Sequence, residues 1–600
     1  MKPLLSTRSR KPGPRARLCV FLIVLSCAVV GAASSPAPAT AAPLLGANLD
    51  LTRLPEEHRA QELARLSAAG VHSIRMPLDW NRVEPQPGRF LWQEYDAVVD
   101  AALGSGFEVV LILGPCAEWA VDPAWHVPPG ELCCSIPQSL DVWERYARAA
   151  VSHFKGRVHY WQVRKQPNMR NFRGAHREYL RLLAAAARQA REVDPAARII
   201  APEAGYLDVA AADRLLCSPA RSSCDVLGFY LPADHGDLSR VLLPWAVLTH
   251  EVLGQTQAER RRSGWVLGGE EGISPDLWAA YYFLAWAFGV ERCYLPAEAV
   301  RGDFAAAFAE LSYRGFLSVG PELWALVFDG ATGTVVIAWS PVGLEVPVTD
   351  IAPIADADLV AEAAPVPGGP SSSAPEKPAP AAPTVRIGAR PVALRGLAID
   401  GLFRAGAPTR RDVLAARPRP NLSALPMIYA DYSMPERPEF GLSNRSLRQL
   451  RGGTITEELA QGRSGLRTHM TCRRGDEELD NPWIYFDVDD GWLYFDRGKN
   501  RLAITVECQG CPLGPKKLGF NIMYDAVDGY RFTRWQWVDP GYGWHAYRFE
   551  LSDVSFANRD AYDFRINAKG SKQDAFVTAV TLRKVPCGGD GEGARGHSTE

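Results

Sequence analysis

SIRMPLDWNRVEPQPGRFLWQEYDAVVDAALGSGFEVVLIL, residues 73–113, begins and ends on largely apolar runs of strand length and gathers most of its charged residues between them. The same alternation continues in both directions. LLGANLD (44–50) precedes it, and VHYWQV (158–163), ARIIAPEA (197–204), DVLGFYL (225–231), GWVLGGE (264–270) and VERCYLPA (290–297) follow. Amphipathic helical patterns separate these runs, among them PEEHRAQELARLSAAG (55–70), SLDVWERYARAAVSHF (139–154) and HREYLRLLAAAARQAREV (176–193). Eight strands with intervening helices between residues 44 and 319 predict a (β/α)8 TIM barrel. A doubly wound open sheet is the rival fold, but no glycine-rich phosphate turn follows the first strand.

Beyond the barrel the hydrophobic period falls to two. ELWALVFDG (322–330) and GTVVIAWSP (333–341) predict a hairpin, and TVRIGARPVALRG (384–396) resumes the strand pattern. Between them the Pro/Ala/Ser-rich tract 361–383 cannot build a core, so a small all-β domain over 320–400 is expected to carry it as an insertion. From 420 to 586, aromatic runs such as PWIYFDVDDGWLYFD and LGFNIMYDA alternate with Gly, Asp, Asn and Pro, which predicts a C-terminal antiparallel β-sandwich. A disordered tail is expected over 587–600.

Six hundred residues exceed one core, consistent with several domains. A net charge of −2 supplies no electrostatic reason to expect nucleic acid as a partner. Lys2, Arg8, Arg10, Lys11, Arg15 and Arg17 precede the run LCVFLIVLSCAVVGAA, and small residues follow, so residues 1–42 read as a signal peptide and processing region. The mature chain is then secreted or at the cell surface; the loose lipobox Val24-Leu25-Ser26-Cys27 allows an acyl anchor at Cys27. No other stretch is apolar enough to cross a membrane. Ten cysteines remain after Cys19 and Cys27. An exported chain favours disulfides, with Cys217–Cys224 and Cys508–Cys511 as possible bridges. No cysteine spacing with nearby histidine suggests a metal, and no cofactor is implied. Asp487, Asp489 and Asp490 read either as solvated turn acids or as part of a Ca²⁺ site.

The stretch 73–113 resembles the second and third units of clan A glycoside hydrolases, closest to family 39-like barrels. Arg75, Asp79, Trp80, Glu84 and Pro85 stand where those enzymes show an Arg and then a W-x-x-x-E-P turn. The resemblance implies hydrolysis of an O-glycosidic bond by two carboxyl groups about 5–5.5 Å apart, at the ends of the fourth and seventh strands. On the seventh strand, GWVLGGEEG matches the family ending loosely. Glu270 corresponds to the nucleophile, with Glu271 the alternative.

At the fourth strand the family's Asn-Glu-Pro is replaced by Lys165-Gln166-Pro167. Glutamine keeps the shape of the acid/base glutamate but has no titratable proton, a loss that removes about 10²–10⁴-fold of rate. A substitute acid has to come from another loop, with Glu118, Glu203, Asp234 and His235 as candidates. Tyr230 in GFYLPAD stands nearest a His-before-Tyr feature that relatives carry on the sixth strand. The expected substrate-binding set is Arg75, Trp80, Trp119, Lys165 and Tyr230 in the barrel, and Trp535 and Trp537 on one face of the strand YRFTRWQW. The leading expectation is an exported protein that binds a polysaccharide or oligosaccharide with an impaired or inactive glycosidase-like barrel. The alternatives are an active retaining hydrolase with a substitute acid, and a non-catalytic surface scaffold.

Overall fold

The computed structural model describes residues 42–585 apart from internal runs, the longest being 122–134, 166–175, 232–238, 254–262, 301–307, 348–383, 396–402, 446–455 and 510–517; residues 270–272 also fall outside the description. Eight parallel strands close into a barrel in chain order. They are β1 (Leu44–Asn48), β2 (Ser73–Leu78), β3 (Glu108–Leu113), β4 (Tyr160–Val163), β5 (Arg198–Ala204), β6 (Val226–Leu231), β7 (Ser263–Gly269) and β8 (Arg292–Pro296). β1 pairs with both β2 and β8, which completes the ring. A ring of parallel strands is buried on both faces, which is why these segments read as apolar runs.

Alternation along each strand separates two environments. On β2, Ile74, Met76 and Leu78 belong to the large cluster shared with the surrounding helices. Ser73, Arg75 and Pro77, the alternate residues, point along the barrel axis. Low in the axis, Arg292 lies over the rings of Tyr160 and Trp265 at 4.6 and 4.4 Å and pairs with Glu108. Ser73 donates to the Tyr294 hydroxyl at 2.8 Å. Gly46 on β1 has to be glycine, because a Cβ there would enter the Tyr294 ring. These side chains fill the lower interior, and a cavity opens at the end where the strands finish.

A five-stranded sheet follows, in the order 392–395, Gly333–Trp339, Trp324–Gly330, Ser312–Leu317, Phe403–Ala405. Trp324–Gly330 and Gly333–Trp339 form the expected hairpin, from Trp324↔Trp339 to Gly330↔Gly333. Leu344–Pro347 and Thr384–Ile387 pair with each other, so the Pro/Ala/Ser tract, itself outside the described residues, is bracketed by one antiparallel ladder.

The last unit is an antiparallel sandwich. A seven-stranded sheet is built around Phe576–Val585 and Arg501–Gln509, and faces a six-stranded sheet in which Leu442–Asn444, Trp483–Val488, Phe564–Asn567, Gly519–Ala526 and Gly529–Phe532 follow in order and Gln536–Trp537 also pairs with Gly519–Ala526. Ile484, Phe486, Ile522, Phe564 and Ile566 from one sheet meet Ile504, Val506, Val580 and Leu582 from the other. The sandwich is fixed to the barrel. Tyr494, Phe495 and Ala557 join the barrel's own apolar cluster. Arg497 pairs with Asp213 at 2.7 Å, and Arg214 donates to the Val527 carbonyl at 3.1 Å.

Candidate functional site at the C-terminal end of the barrel

A cavity of 360 Å³ opens where β1 to β4 end. Asp50 and Arg53 line it from the turn after β1, and Pro77, Asp79 and Arg82 from the end of β2. Ile112, Gly114 and Pro115 come from β3, and Arg164 and Lys165 follow β4. The two carboxylates among its described lining residues are held by their own turns. Asp50 accepts from the Thr52 amide at 3.1 Å, the Thr52 hydroxyl at 2.7 Å and Arg53 Nε at 3.1 Å. Asp79 caps the short helix Trp80–Val83, accepting from the Asn81 amide at 3.0 Å. The Asp79 amide in turn donates to the Tyr95 hydroxyl at 3.0 Å, and burial raises that phenol above its ordinary range.

Arg164 lines the cavity beside Gly114. Its backbone adopts φ 67°, a left-handed conformation rare for a residue with a side chain, and its guanidinium donates to the Ser135 carbonyl at 2.6 Å. Gly114, at φ 117°, allows this, since a Cβ there would stand 3.1 Å from Arg164 Nη1. Cys116 lies nearby, its thiol pushed up to about 11 by burial against the opposing effect of Arg164.

Directly below is a polar knot centred on Arg75. Its guanidinium donates to Gln162 Oε1 on β4 at 2.7 Å, to Asn48 Oδ1 on β1 at 2.7 Å and to the Leu267 carbonyl on β7 at 2.9 Å. Gln162 donates onward to the Arg164 carbonyl at 2.8 Å, and Asn48 to the Leu267 carbonyl at 3.1 Å. Tyr230 on β6 borders this knot: a Cβ on Gly268 would stand 3.1 Å from both the Tyr230 ring and Asn48 Nδ2. One buried cation thus ties β4 to β7, the strands that lead to Gln166 and Glu270. Gln166, Glu270 and Glu271 themselves lie outside the described residues, as do Asp234, His235 and the side chain of Glu203.

The structure therefore brings Arg75, Tyr230 and Lys165 to one end of the barrel. Trp80 is corrected. It is fully buried, stacked on Tyr146 at 4.4 Å, and its indole donates to Glu84 at 2.7 Å, so it packs the core and has no face for a sugar. Glu84 also accepts from the Gly88 amide at 2.6 Å and from Arg145 at 3.2 Å, which makes the W-x-x-x-E spacing a structural clasp one helical turn long. Trp119 is half-buried against Trp80 and donates to the Glu84 carbonyl at 2.7 Å, with Arg145 over its ring. Glu118 is exposed and does not line the cavity. Asn48, Gln162, Asp50 and Asp79 were not expected at the site. Each is a polar residue within or just after an apolar strand, and on a barrel that placement is the available signal.

One disulfide expectation is also corrected, and a second falls outside the described residues. Cys217 is an exposed free thiol, while the Cys224 thiol faces inward and donates to the Arg221 carbonyl at 3.8 Å, so the pair is not bridged. Cys508 is a buried free thiol, pushed up to about 12 by burial; Cys511 lies outside the described residues.

In the sandwich, Trp535 and Trp537 meet edge to face at 5.8 Å over Gly519, where any Cβ would strike Trp535. Trp537 is 51% exposed and Trp535 half-buried. The acids considered for calcium have other partners. Asp487 pairs with Arg445 at 2.6 Å, Asp489 accepts from the Gly491 amide at 2.7 Å, and Asp490 from Asn558 at 2.7 Å. Among the described residues no group of three or more His, Cys, Asp or Glu side chains is placed to hold a metal.

No family model matches the chain. A curated β-galactosidase of Xanthomonas manihotis is 32% identical over 96 residues, covering 15% of this chain and 16% of that protein. A β-galactosidase of Mus musculus is 34% identical over 80 residues, 12% of either chain. The chain thus spans under a fifth of the curated relatives it matches. Among solved structures it is similar to a family 39 glycoside hydrolase from Bacteroides cellulosilyticus WH2, at 16% identity and TM-score 0.44 over 59% of this chain and 81% of that one. It is also similar to a family 30 endoxylanase from Clostridium papyrosolvens C71, at 14% identity and TM-score 0.39 over 51% and 84%.

Proposed function

We propose that this is an exported glycan-binding protein whose barrel has the layout of a retaining glycosidase but lacks its proton donor. The observation that carries the reading is the Arg75 knot, which ties β4 to β7 directly beneath an open cavity. A glycosidic bond is cleaved between the ends of those two strands in clan A enzymes. Glu270 supplies the nucleophile position there, and Gln166 the position from which the leaving oxygen is protonated. A carboxamide hydrogen-bonds that oxygen without protonating it. Lys165, on the cavity wall, replaces the neutral amide that precedes the acid in relatives. Recognition persists and scission stalls. Trp535 and Trp537 offer a second aromatic contact to the same polymer.

An aryl glycoside with a strongly acidic phenol departs without protonation. Incubation with such a substrate is expected to leave one sugar ester on Glu270, visible as a mass increase of the intact chain, and no ester on the Glu270→Gln variant. An unmodified mass with every activated sugar overturns the nucleophile assignment.

One observation favours a second reading, a working hydrolase. Asp79 places a carboxylate on the cavity wall near Lys165. If Asp79 is the substitute acid, the natural chain depolymerises unmodified glycan and Asp79→Asn abolishes that activity.

A further inference from the structure

The outer face of the six-stranded sheet carries side chains that neither the core nor the barrel uses. Trp483, Asn567 and Asn521 stand side by side on three adjacent strands, since Trp483 pairs with Asn567 and Asn567 with Asn521 in the ladders. Their hydrogen bonds run in one direction across the sheet. The Trp483 indole donates to Asn567 Oδ1 at 3.0 Å, Asn567 Nδ2 donates to Asn521 Oδ1 at 2.8 Å, and Asn521 Nδ2 donates to the Thr533 carbonyl at 3.4 Å. The indole is thereby fixed before any ligand arrives.

Two cations stand over the same ring, Arg565 at 4.9 Å and Lys569 at 5.6 Å from its centroid. Arg565 also reaches the Tyr485 hydroxyl at 3.3 Å. Neither cation makes an ion pair with any described carboxylate, and Arg565 Nε is buried with no hydrogen-bond partner. The acid on this face, Asp487, is already neutralised by Arg445 at 2.6 Å, with both side chains 13% exposed. The patch therefore combines a fixed aromatic ring, two side-chain amides and two positive charges that no described carboxylate pairs with.

We infer that this face binds an acidic polysaccharide, with a uronate carboxylate held by Arg565 and Lys569 beside Trp483 and a neighbouring hydroxyl bonded by Asn521, whose amide the buried Asn567 holds in place. The ring and amides argue for a sugar, because a bare anion has no use for either. The cations argue for an acidic one, because a guanidinium fork matches a carboxylate and none among the described residues pairs with it. A nucleic acid is disfavoured by the chain's net charge of −2 and by the small extent of the positive patch. The site lies on the sandwich and does not depend on what the barrel does.

The test is affinity electrophoresis of the full chain through gels containing polygalacturonate, alginate or hyaluronate, with methyl-esterified polygalacturonate and polyadenylate as controls. Retardation is expected with at least one polyuronate and is expected to vanish on esterification. Arg565→Gln and Lys569→Gln are each expected to weaken it about tenfold, the loss of one charge-assisted hydrogen bond. Lys569 is exposed, so its substitution leaves the fold intact and keeps the test valid if Arg565→Gln proves unstable. Silence with all three polyuronates, equal retardation by the esterified polymer, polyadenylate binding as tightly, or an undiminished Lys569→Gln variant each overturns the inference.

Discussion

In the barrel, polar side chains climb one axis and converge on an open end; in the sandwich they turn inward to fasten loops. Arg75, Asn48 and Gln162 sit one layer below the cavity, and Asp50, Asp79, Arg164 and Lys165 form its wall. In the sandwich, Asp525 accepts from the Ala557 amide at 2.8 Å, Asp563 from the Val488 amide at 2.8 Å, and Asp496 from the Asn500 amide at 2.6 Å. The difference follows from strand direction. Parallel strands all finish at the same end, so the residues after them gather in one place. Antiparallel strands turn back at both ends, and each turn leaves backbone amides that a nearby carboxylate satisfies. In a sandwich of this kind the organised polar surface is the outer face of a sheet, here around Trp483.

The largest test of this contrast is Trp80→Ala. As a core residue stacked on Tyr146, its loss is expected to lower barrel stability by about 3–5 kcal/mol, read as an earlier barrel transition in calorimetry. A stable variant with weakened glycan binding would instead restore Trp80 to the cleft. Next is Arg75→Met, which leaves Gln162 and Asn48 without a buried donor and is expected to cost about 3 kcal/mol. Its effect belongs to the barrel transition, and an equal shift in the sandwich would break the comparison.

A smaller effect concerns Asp563. Burial, followed by Asp487 and Asp490, holds its carboxyl well above the usual range. A raised folded pKa contributes stability that is complete below the unfolded value of about 3.9 and is lost as pH rises through the folded one. The stability of the natural chain relative to Asp563→Asn is therefore expected to fall as pH increases from about 4. A difference that grows with pH contradicts the assignment. The smallest change is Trp537→Ala. This exposed ring is expected to cost under about 0.5 kcal/mol of stability while reducing retardation by immobilised glycan.

The barrel was legible because its strands are buried on both faces and the intervening helices are amphipathic, so two periods mark every boundary. The hairpin at 324–339 was equally plain. Strand order in the sandwich was not, since Met427–Asp431 pairs with Phe576–Val585 across the whole domain, and no local pattern encodes that pairing. Trp80 misled because the W-x-x-x-E spacing that marks a family turn is also the spacing that lets an indole donate to a carboxylate one turn on. Asn48 and Gln162 were hidden in runs that otherwise read as apolar. The aromatic residues of the sandwich divide into buried Trp492 and Tyr494, the pair at Gly519, and the outward face at Trp483, a division that the alternation of the runs did not mark.

The most direct test compares the natural chain with Gln166→Glu on unmodified polysaccharide, scored by the appearance of new reducing ends. Supplying the carboxyl is expected to raise turnover from background by about 10²–10⁴-fold, with affinity for the polymer unchanged. Steady depolymerisation by the natural chain, at a rate that Gln166→Glu does not alter, would contradict the claim that this barrel holds its glycan without cutting it.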